Sequence, residues 1–195
     1  MNRKFLRVAK VGGSLFDFAD LPAALRGWLN NQPGVNVLIA GGGPFADAVR
    51  QADATFAIGD TAAHRLALEA MRVSAELLAA LLPEARVLHS LADARRQLAG
   101  CEVVVLNPSD LSQPECGLPH SWDVTSDSIA AYVASRLEAQ ELVLFKSTPL
   151  PANTDRTQAA DSGLVDGYFV QAAATLPIVR WVNLRAVPVT ERPLR

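Results

Sequence analysis

Two short apolar runs that each end in a cluster of glycines constrain this chain more than any other feature. Residues 7–11 run into Gly12-Gly13, and residues 35–40 run into Gly41-Gly42-Gly43-Pro44. Runs of this length, partly β-branched, read as strands buried within a sheet. After each run the pattern turns helical. Asp20-Leu21-Pro22 pairs a capping residue with proline in the first turn and opens a helix to residue 31, where Pro33-Gly34 breaks it. A second helix is expected over 45–54.

The alternation continues. Residues 61–82 predict a long helix whose apolar positions Leu66, Ala70, Val73, Leu77 and Leu81 recur every three to four residues. Core packing is the expected use of that stripe, with a self-association surface as the alternative. Pro83 ends it. A strand at 86–89, a helix at 91–98 and a strand at 102–106 follow, then a loop over 109–124. Residues 125–139 are strongly helical and 141–146 strand-like. Residues 149–162 read as loop or short turns, 177–184 as the last clear strand, and the tail from Pro188 is weakly specified. Strand then helix, repeated, predicts a mainly parallel sheet with helices on both faces, in one domain over 1–195. Ligands in such sheets bind beyond the carboxyl ends of the strands, where both glycine clusters fall.

Composition narrows the function. With 195 residues, half of them hydrophobic, the chain can build one well-buried core. A net charge of −2 without a basic tract gives no footprint for nucleic acid. No apolar run approaches the ~20 residues that span a bilayer, and the apolar stretch after the basic N-terminus is too short for a signal peptide. A cytoplasmic location, with no membrane partner, is the expectation. Cys101 and Cys116 form no C-x-x-C pair. His64, His89 and His120 show no metal-ligand spacing, so no protein-built metal site is expected.

Four constellations carry possible chemistry. Lys10-Val11-Gly12-Gly13-Ser14 places a cation beside glycines whose N–H groups can approach a phosphate. Taken alone it is an ordinary strand-ending turn, and its spacing is not that of a Walker A loop. Gly41-Gly42-Gly43-Pro44-Phe45 is either a flexible strand-to-helix loop or an anion site at a helix N-terminus. In Trp122-Asp123-Val124-Thr125-Ser126-Asp127-Ser128 the polar residues suit helix capping, while a carboxylate there could also orient a lysine or a metal ion. Lys146 closes the strand Leu142-Val143-Leu144-Phe145 at the same sheet edge as the glycine loops, or simply emerges into solvent.

Together these pieces are more specific. Lys10-Val11-Gly12-Gly13-Ser14, Ala40-Gly41-Gly42-Gly43 and Thr125-Ser126-Asp127-Ser128-Ile129-Ala130-Ala131, in that order, resemble the amino acid kinase family, which includes acetylglutamate, aspartate, glutamate 5- and bacterial uridylate kinases. The resemblance implies a three-layer α/β/α sandwich, transfer of the ATP γ-phosphoryl group with Mg²⁺ to a small anionic substrate, and self-association into a homo-oligomer. It assigns Lys10 to the transferring phosphoryl group and Asp127 to holding the catalytic lysines. Gly12, Gly13 and Ser14 go to phosphate or nucleotide, and Gly42, Gly43 and Ser126 to substrate.

A narrower resemblance lies in Gly43-Pro44-Phe45-Ala46-Asp47-Ala48-Val49-Arg50, Ala63-His64 and Pro119-His120-Ser121-Trp122-Asp123. These are similar to small kinases of methanofuran-type cofactor synthesis, which convert an aminomethyl-furan-methyl phosphate to its diphosphate. That implies Arg50 and His64 as substrate contacts; otherwise Arg50 is a solvated helix charge and His64 a half-buried helix residue. The chain departs from the family in its C-terminal half, where the usual later glycine-rich segment with a second lysine is missing. Lys146 is the candidate for that charge, and Asp166, in the segment after it, is assigned to the nucleotide side. A nucleotide- or anion-binding regulator and an acylphosphate-forming amino acid kinase are the alternative functions.

Overall fold

A computed structural model describes residues 4–195. Seven strands form one sheet: β1 (Leu6–Val11), β2 (Val35–Ala40), β3 (Arg86–Leu88), β4 (Val103–Leu106), β5 (Glu141–Lys146), β6 (Val179–Asn183) and β7 (Thr190–Pro193). Their order is β3-β4-β2-β1-β5-β6-β7, parallel throughout except for the final antiparallel strand. The helices are α1 (Leu21–Leu29), α2 (Gly43–Phe56), α3 (Asp60–Leu81), α4 (Leu91–Gln97), α5 (Ser126–Arg136), α6 (Arg156–Asp161) and α7 (Phe169–Ala172).

The pleat divides the core in two. Val8, Leu142 and Leu144 face one cluster with α4 to α7, while Ala9, Val11, Val143 and Phe145 face the other with α1. Helix α3 feeds both, Leu68 and Met71 to the first and Ala75 and Leu78 to the second. This is the α/β sandwich expected. From the central strand β1 the chain builds β2, β4 and β3 on one side, then returns with β5 on the other. The crevice beyond the end of β1 is therefore the topological switch point. At the opposite edge a buried network clamps the same strands. Arg7 Nε donates to Glu141 Oε2 at 2.5 Å and Arg7 Nη1 to Asn36 Oδ1 at 2.8 Å, and Arg180 pairs with Glu141 from β6.

Three expectations need correction. The apolar stripe of α3 is largely the outward one: Leu66, Val73 and Leu77 are 36%, 39% and 38% exposed. Ala63, Leu68, Met71, Ala75 and Leu78 face inward instead. Residues 149–162 contain α6, started by a capping box between Asp155 and Gln158. The tail past Pro188 forms β7, whose Glu191 accepts from Trp28 Nε1 at 2.7 Å and from Arg180 Nη1 at 2.8 Å. Among the described residues no helix is long and apolar enough to cross a membrane.

Candidate active site

Strand parity brings the two lysines together. Lys10 shares a face of β1 with Val8, and Lys146 shares a face of β5 with Leu142 and Leu144, so both turn toward α5. Asp127, the second residue of α5, lies between them. Lys146 Nζ donates to its Oδ2 at 2.8 Å, and Lys10 Nζ stands 3.0 Å from its Oδ1. The Lys10 contact is a buried ion pair. Lys146 Nζ also donates to the Leu164 carbonyl at 2.7 Å.

All three side chains are nearly sealed from solvent, at 6%, 7% and 12% exposure for Lys10, Asp127 and Lys146. Burial raises the pKa of the Asp127 carboxyl, but the two ammonium groups outweigh it and hold it below the usual range. For Lys146 burial dominates over the pull of Asp127, and its pKa is lowered to about 8. Two cations on one anion leave a net positive charge at the cavity wall when both lysines are protonated.

The start of α5 is organised from a distance. Thr125, the N-cap, makes no capping bond with its own side chain. Asp166 supplies the cap: its Oδ2 accepts from Thr125 N at 3.0 Å, Thr125 Oγ1 at 2.7 Å and Ser128 N at 3.0 Å, and its Oδ1 accepts from Ser128 Oγ. This engages the carboxylate that the family resemblance places on the nucleotide side. It takes two backbone N–H groups at the helix start, and Asp127 is left to the lysines.

The two glycine loops press against each other. A Cβ on Gly13 would lie 2.6 Å from Gly43 N and 2.7 Å from Gly43 Cα, and Gly43 itself has φ of +50°. Only glycine permits this approach. Gly42 then caps α2, with Pro44 in the first turn.

Around these parts lies a cavity of ≈ 490 Å³, within the usual range for small-molecule sites. Lys10, Gly12, Gly13, Ser14, Gly42, Gly43, Arg50, His64, Ser126 and Lys146 all line it. Asp127 and Asp166 are not on that wall: Asp127 is held by the two lysines and Asp166 by the start of α5. Arg50 lies over the Trp122 ring at 4.8 Å and pairs with Asp47 at 2.8 Å. Trp122 is in turn fixed by Nε1 donating to Asp53 Oδ2 at 2.8 Å. His64 is buried, not half-buried, and stacks on His120 with centroids 4.7 Å apart.

Sequence reasoning missed Asp17 and Asp47 on the wall, and Arg185, which donates to the Ser14 carbonyl at 2.9 Å and pairs with Asp17. Asp47 was findable, one turn before Arg50 on the same helix face. Asp17 and Arg185, 168 positions apart, carry no local signal.

The chain is similar to known proteins in sequence and in fold. The chain is 30% identical over 140 residues to [5-(aminomethyl)furan-3-yl]methyl phosphate kinase of Methanocaldococcus jannaschii, a match covering 71% of this chain and 64% of that relative. The chain thus spans somewhat less than two thirds of the relative's length. Its fold is shared with UMP kinase from Ureaplasma parvum (TM-score 0.69, 14% identity, 96% of this chain and 93% of that one). Uridylate kinase from Archaeoglobus fulgidus (0.64, 15%, 90% and 89%) and UMP kinase from Bacillus anthracis (0.68, 10%, 100% of each) share it too. The model of the amino acid kinase family matches residues 6–150, and the chain belongs to that family.

Proposed function

We propose that this protein is an ATP-dependent kinase that phosphorylates a small organic phosphate, with an aminomethyl-furan-methyl phosphate as the first candidate acceptor. The observation that carries this reading is the Lys10–Asp127–Lys146 cluster, which fixes two buried ammonium groups where the two glycine loops cross. Such a cluster is preorganised for a group that gathers negative charge, and phosphoryl transfer depends on that kind of positioning and electrostatics. The relative's name supplies the acceptor.

In this reading Lys10 and Lys146 neutralise the oxygens of the transferring group. The backbone of Gly12, Gly13, Gly42 and Gly43 lets the phosphates approach closely. The acceptor oxygen forms the new P–O bond as the bond from the γ-phosphorus to its bridging oxygen breaks, and ADP leaves with that electron pair. A phosphate acceptor is already ionised near neutral pH, so no general base is required. Asp127, tied between two ammonium groups, is not free to act as one.

Among the described residues no three His, Cys, Asp or Glu side chains gather into a metal cage. Mg²⁺ binds through one or two carboxylates together with substrate phosphates. Asp17 and Asp47 are the exposed carboxylates on the wall, paired with Arg185 and Arg50, and either would have to exchange its arginine for an ion that arrives with the triphosphate and neutralises charge on the β- and γ-phosphates. A cytoplasmic location belongs to the same reading, as does self-association through the exposed Leu66, Val73 and Leu77 of α3.

The test is incubation with ATP, Mg²⁺ and the furan phosphate, following ADP release and the diphosphate signals by ³¹P NMR. Formation of a phosphoanhydride on the acceptor is the expected result. Nucleotide binding without transfer to any small phosphate or carboxylate would overturn the kinase reading.

A further inference from the structure

The two flanks of the site are built by different strands. In the order β3-β4-β2-β1-β5-β6-β7, α2 with its Arg50 follows β2, on one side of the β1–β5 pair that carries Lys10 and Lys146. Arg185 follows β6, on the other side. An acceptor held over Gly42 and Gly43 lies toward β2, so in-line transfer between the lysines puts the nucleotide phosphates toward β5 and β6. Every cation at the site already has a carboxylate: Lys10 and Lys146 share Asp127, Arg50 has Asp47 and Arg185 has Asp17. A triphosphate brings several more negative charges and draws cations out of such pairs. The Asp127 cluster is buried, and Lys146 is further held by the Leu164 carbonyl. The Arg185–Asp17 pair is different: Asp17 is 76% exposed, and an exposed pair contributes little and exchanges easily.

Arg185 is anchored at its base and open at its tip. Its backbone N–H donates at 3.1 Å to Oδ1 of Asn183, the buried last residue of β6. The guanidinium lies over the Phe18 ring at 5.3 Å. Nη2 donates to the Ser14 carbonyl at 2.9 Å and to Asp17. Among the described residues no protein group accepts from Nε or Nη1, so most of the five-donor fork is uncommitted. Ser14 and Asp17 both line the cavity, and Ser14 Oγ stands 2.9 Å from Ser147 Oγ just past β5. The guanidinium therefore touches the loop whose glycine backbone admits the phosphates, at the corner where the ends of β1, β5 and β6 meet.

We propose that Arg185 is a nucleotide-binding residue, its guanidinium exchanging Asp17 for the β- and γ-phosphate oxygens of ATP. The exchange leaves the Asp17 carboxylate open to the Mg²⁺ that accompanies the triphosphate, so neither charge is stranded. This inference rests on the kinase reading above and names the side chain that meets the donor's phosphates on the flank away from α2.

The experiment titrates ATP, with and without Mg²⁺, into wild type, Arg185→Ala, Arg185→Lys, Asp17→Asn and the Arg185→Ala/Asp17→Asn double variant by calorimetry. Steady-state kinetics with ATP and the furan phosphate accompany it. Hydrogen bonds to a charged group are strong, so Arg185→Ala should weaken ATP by ~10-fold or more in Kd and KM, with the acceptor KM within ~2-fold. Arg185→Lys, which keeps the charge without the fork, should recover part of the loss. Without Mg²⁺, Asp17→Asn frees the arginine and should tighten ATP more in the presence of Arg185 than in Arg185→Ala, where only relief of repulsion remains. On wild type the Arg185 Nε–H signal, assigned by its absence in Arg185→Lys, should shift with ATP and not with the acceptor alone, which needs no variant to bind. An unmoved signal, unchanged ATP affinity in Arg185→Ala, or an equal effect of Asp17→Asn in both backgrounds would overturn the proposal. So would a lowered urea midpoint with both KM values raised alike, the mark of an arginine that only ties down the Ser14 loop. ATP bound with the expected signatures but never transferred would overturn the kinase reading alone; no nucleotide binding would overturn both.

Discussion

Replacing Asp127 with asparagine removes one charge at almost constant shape, and so isolates what the carboxylate does for the two lysines. Its oxygens lie 3.0 Å from Lys10 Nζ and 2.8 Å from Lys146 Nζ, in a cluster no side chain of which is more than 12% exposed. At an effective dielectric of about 20, unit charges ~3 Å apart attract by roughly 5 kcal/mol. Two such contacts are opposed by the desolvation of three ions, several kcal/mol each. The net is what denaturation reads, and removing one partner from a buried pair costs about 3–5 kcal/mol.

The upper end should not be reached, because Lys146 can shed its proton. Its pKa is about 8 even with Asp127 beside it, and loss of the carboxylate lowers it further. The expected loss is about 3 kcal/mol in urea denaturation at pH 7.5. The pH profile supplies a second signature. In wild type the folded pKa of Lys146, about 8, lies below the ~10.4 of an unfolded lysine. The unfolded chain thus binds more protons between those values, and stability rises with pH there by about 1 kcal/mol per unit. Below that window the slope from Lys146 vanishes. In Asp127→Asn the lower edge moves toward neutral pH, so the rise begins earlier. A loss below about 1 kcal/mol, with the wild-type profile retained, would refute the claim that Asp127 holds two protonated lysines.

Lys10→Ala should leave the fold intact, since Asp127 keeps Lys146, while turnover falls by ~10²–10³-fold, the usual loss for one preorganised donor; unchanged turnover would remove Lys10 from the transfer step. Gly13→Ala should destabilise by about 1–3 kcal/mol, as overpacking does, and raise KM for both substrates, because its Cβ would meet Gly43 backbone at 2.6 Å. An unperturbed denaturation midpoint would contradict the loop contact. Asp166→Ala should cost about 1–2 kcal/mol through the lost cap of α5. If Asp166 instead contacts nucleotide, KM for ATP will rise while stability stays unchanged.

Much of this site was legible in the sequence. Apolar runs closed by glycines fixed the strand ends, and in a parallel sheet those ends lie on one edge whatever the rest of the chain does. The pleat also made Lys10 and Lys146 readable, since each falls in alternation with residues bound for one face of its strand. Helix faces were less legible. The outward Leu66, Val73 and Leu77 keep helical spacing as well as the inward Leu68, Met71 and Leu78, and a period alone does not say which stripe meets the sheet. Nor did the local signals at 125–128 reveal that Asp166 caps α5, leaving Asp127 to the lysines. The His64–His120 stack and the Arg185–Asp17 pair join residues far apart in the chain. The sequence by itself determined the sheet, the edge and the residue types that reach it. Tertiary structure decided which of those residues are buried together, because burial and charge pairing depend on distances between segments that no local pattern encodes.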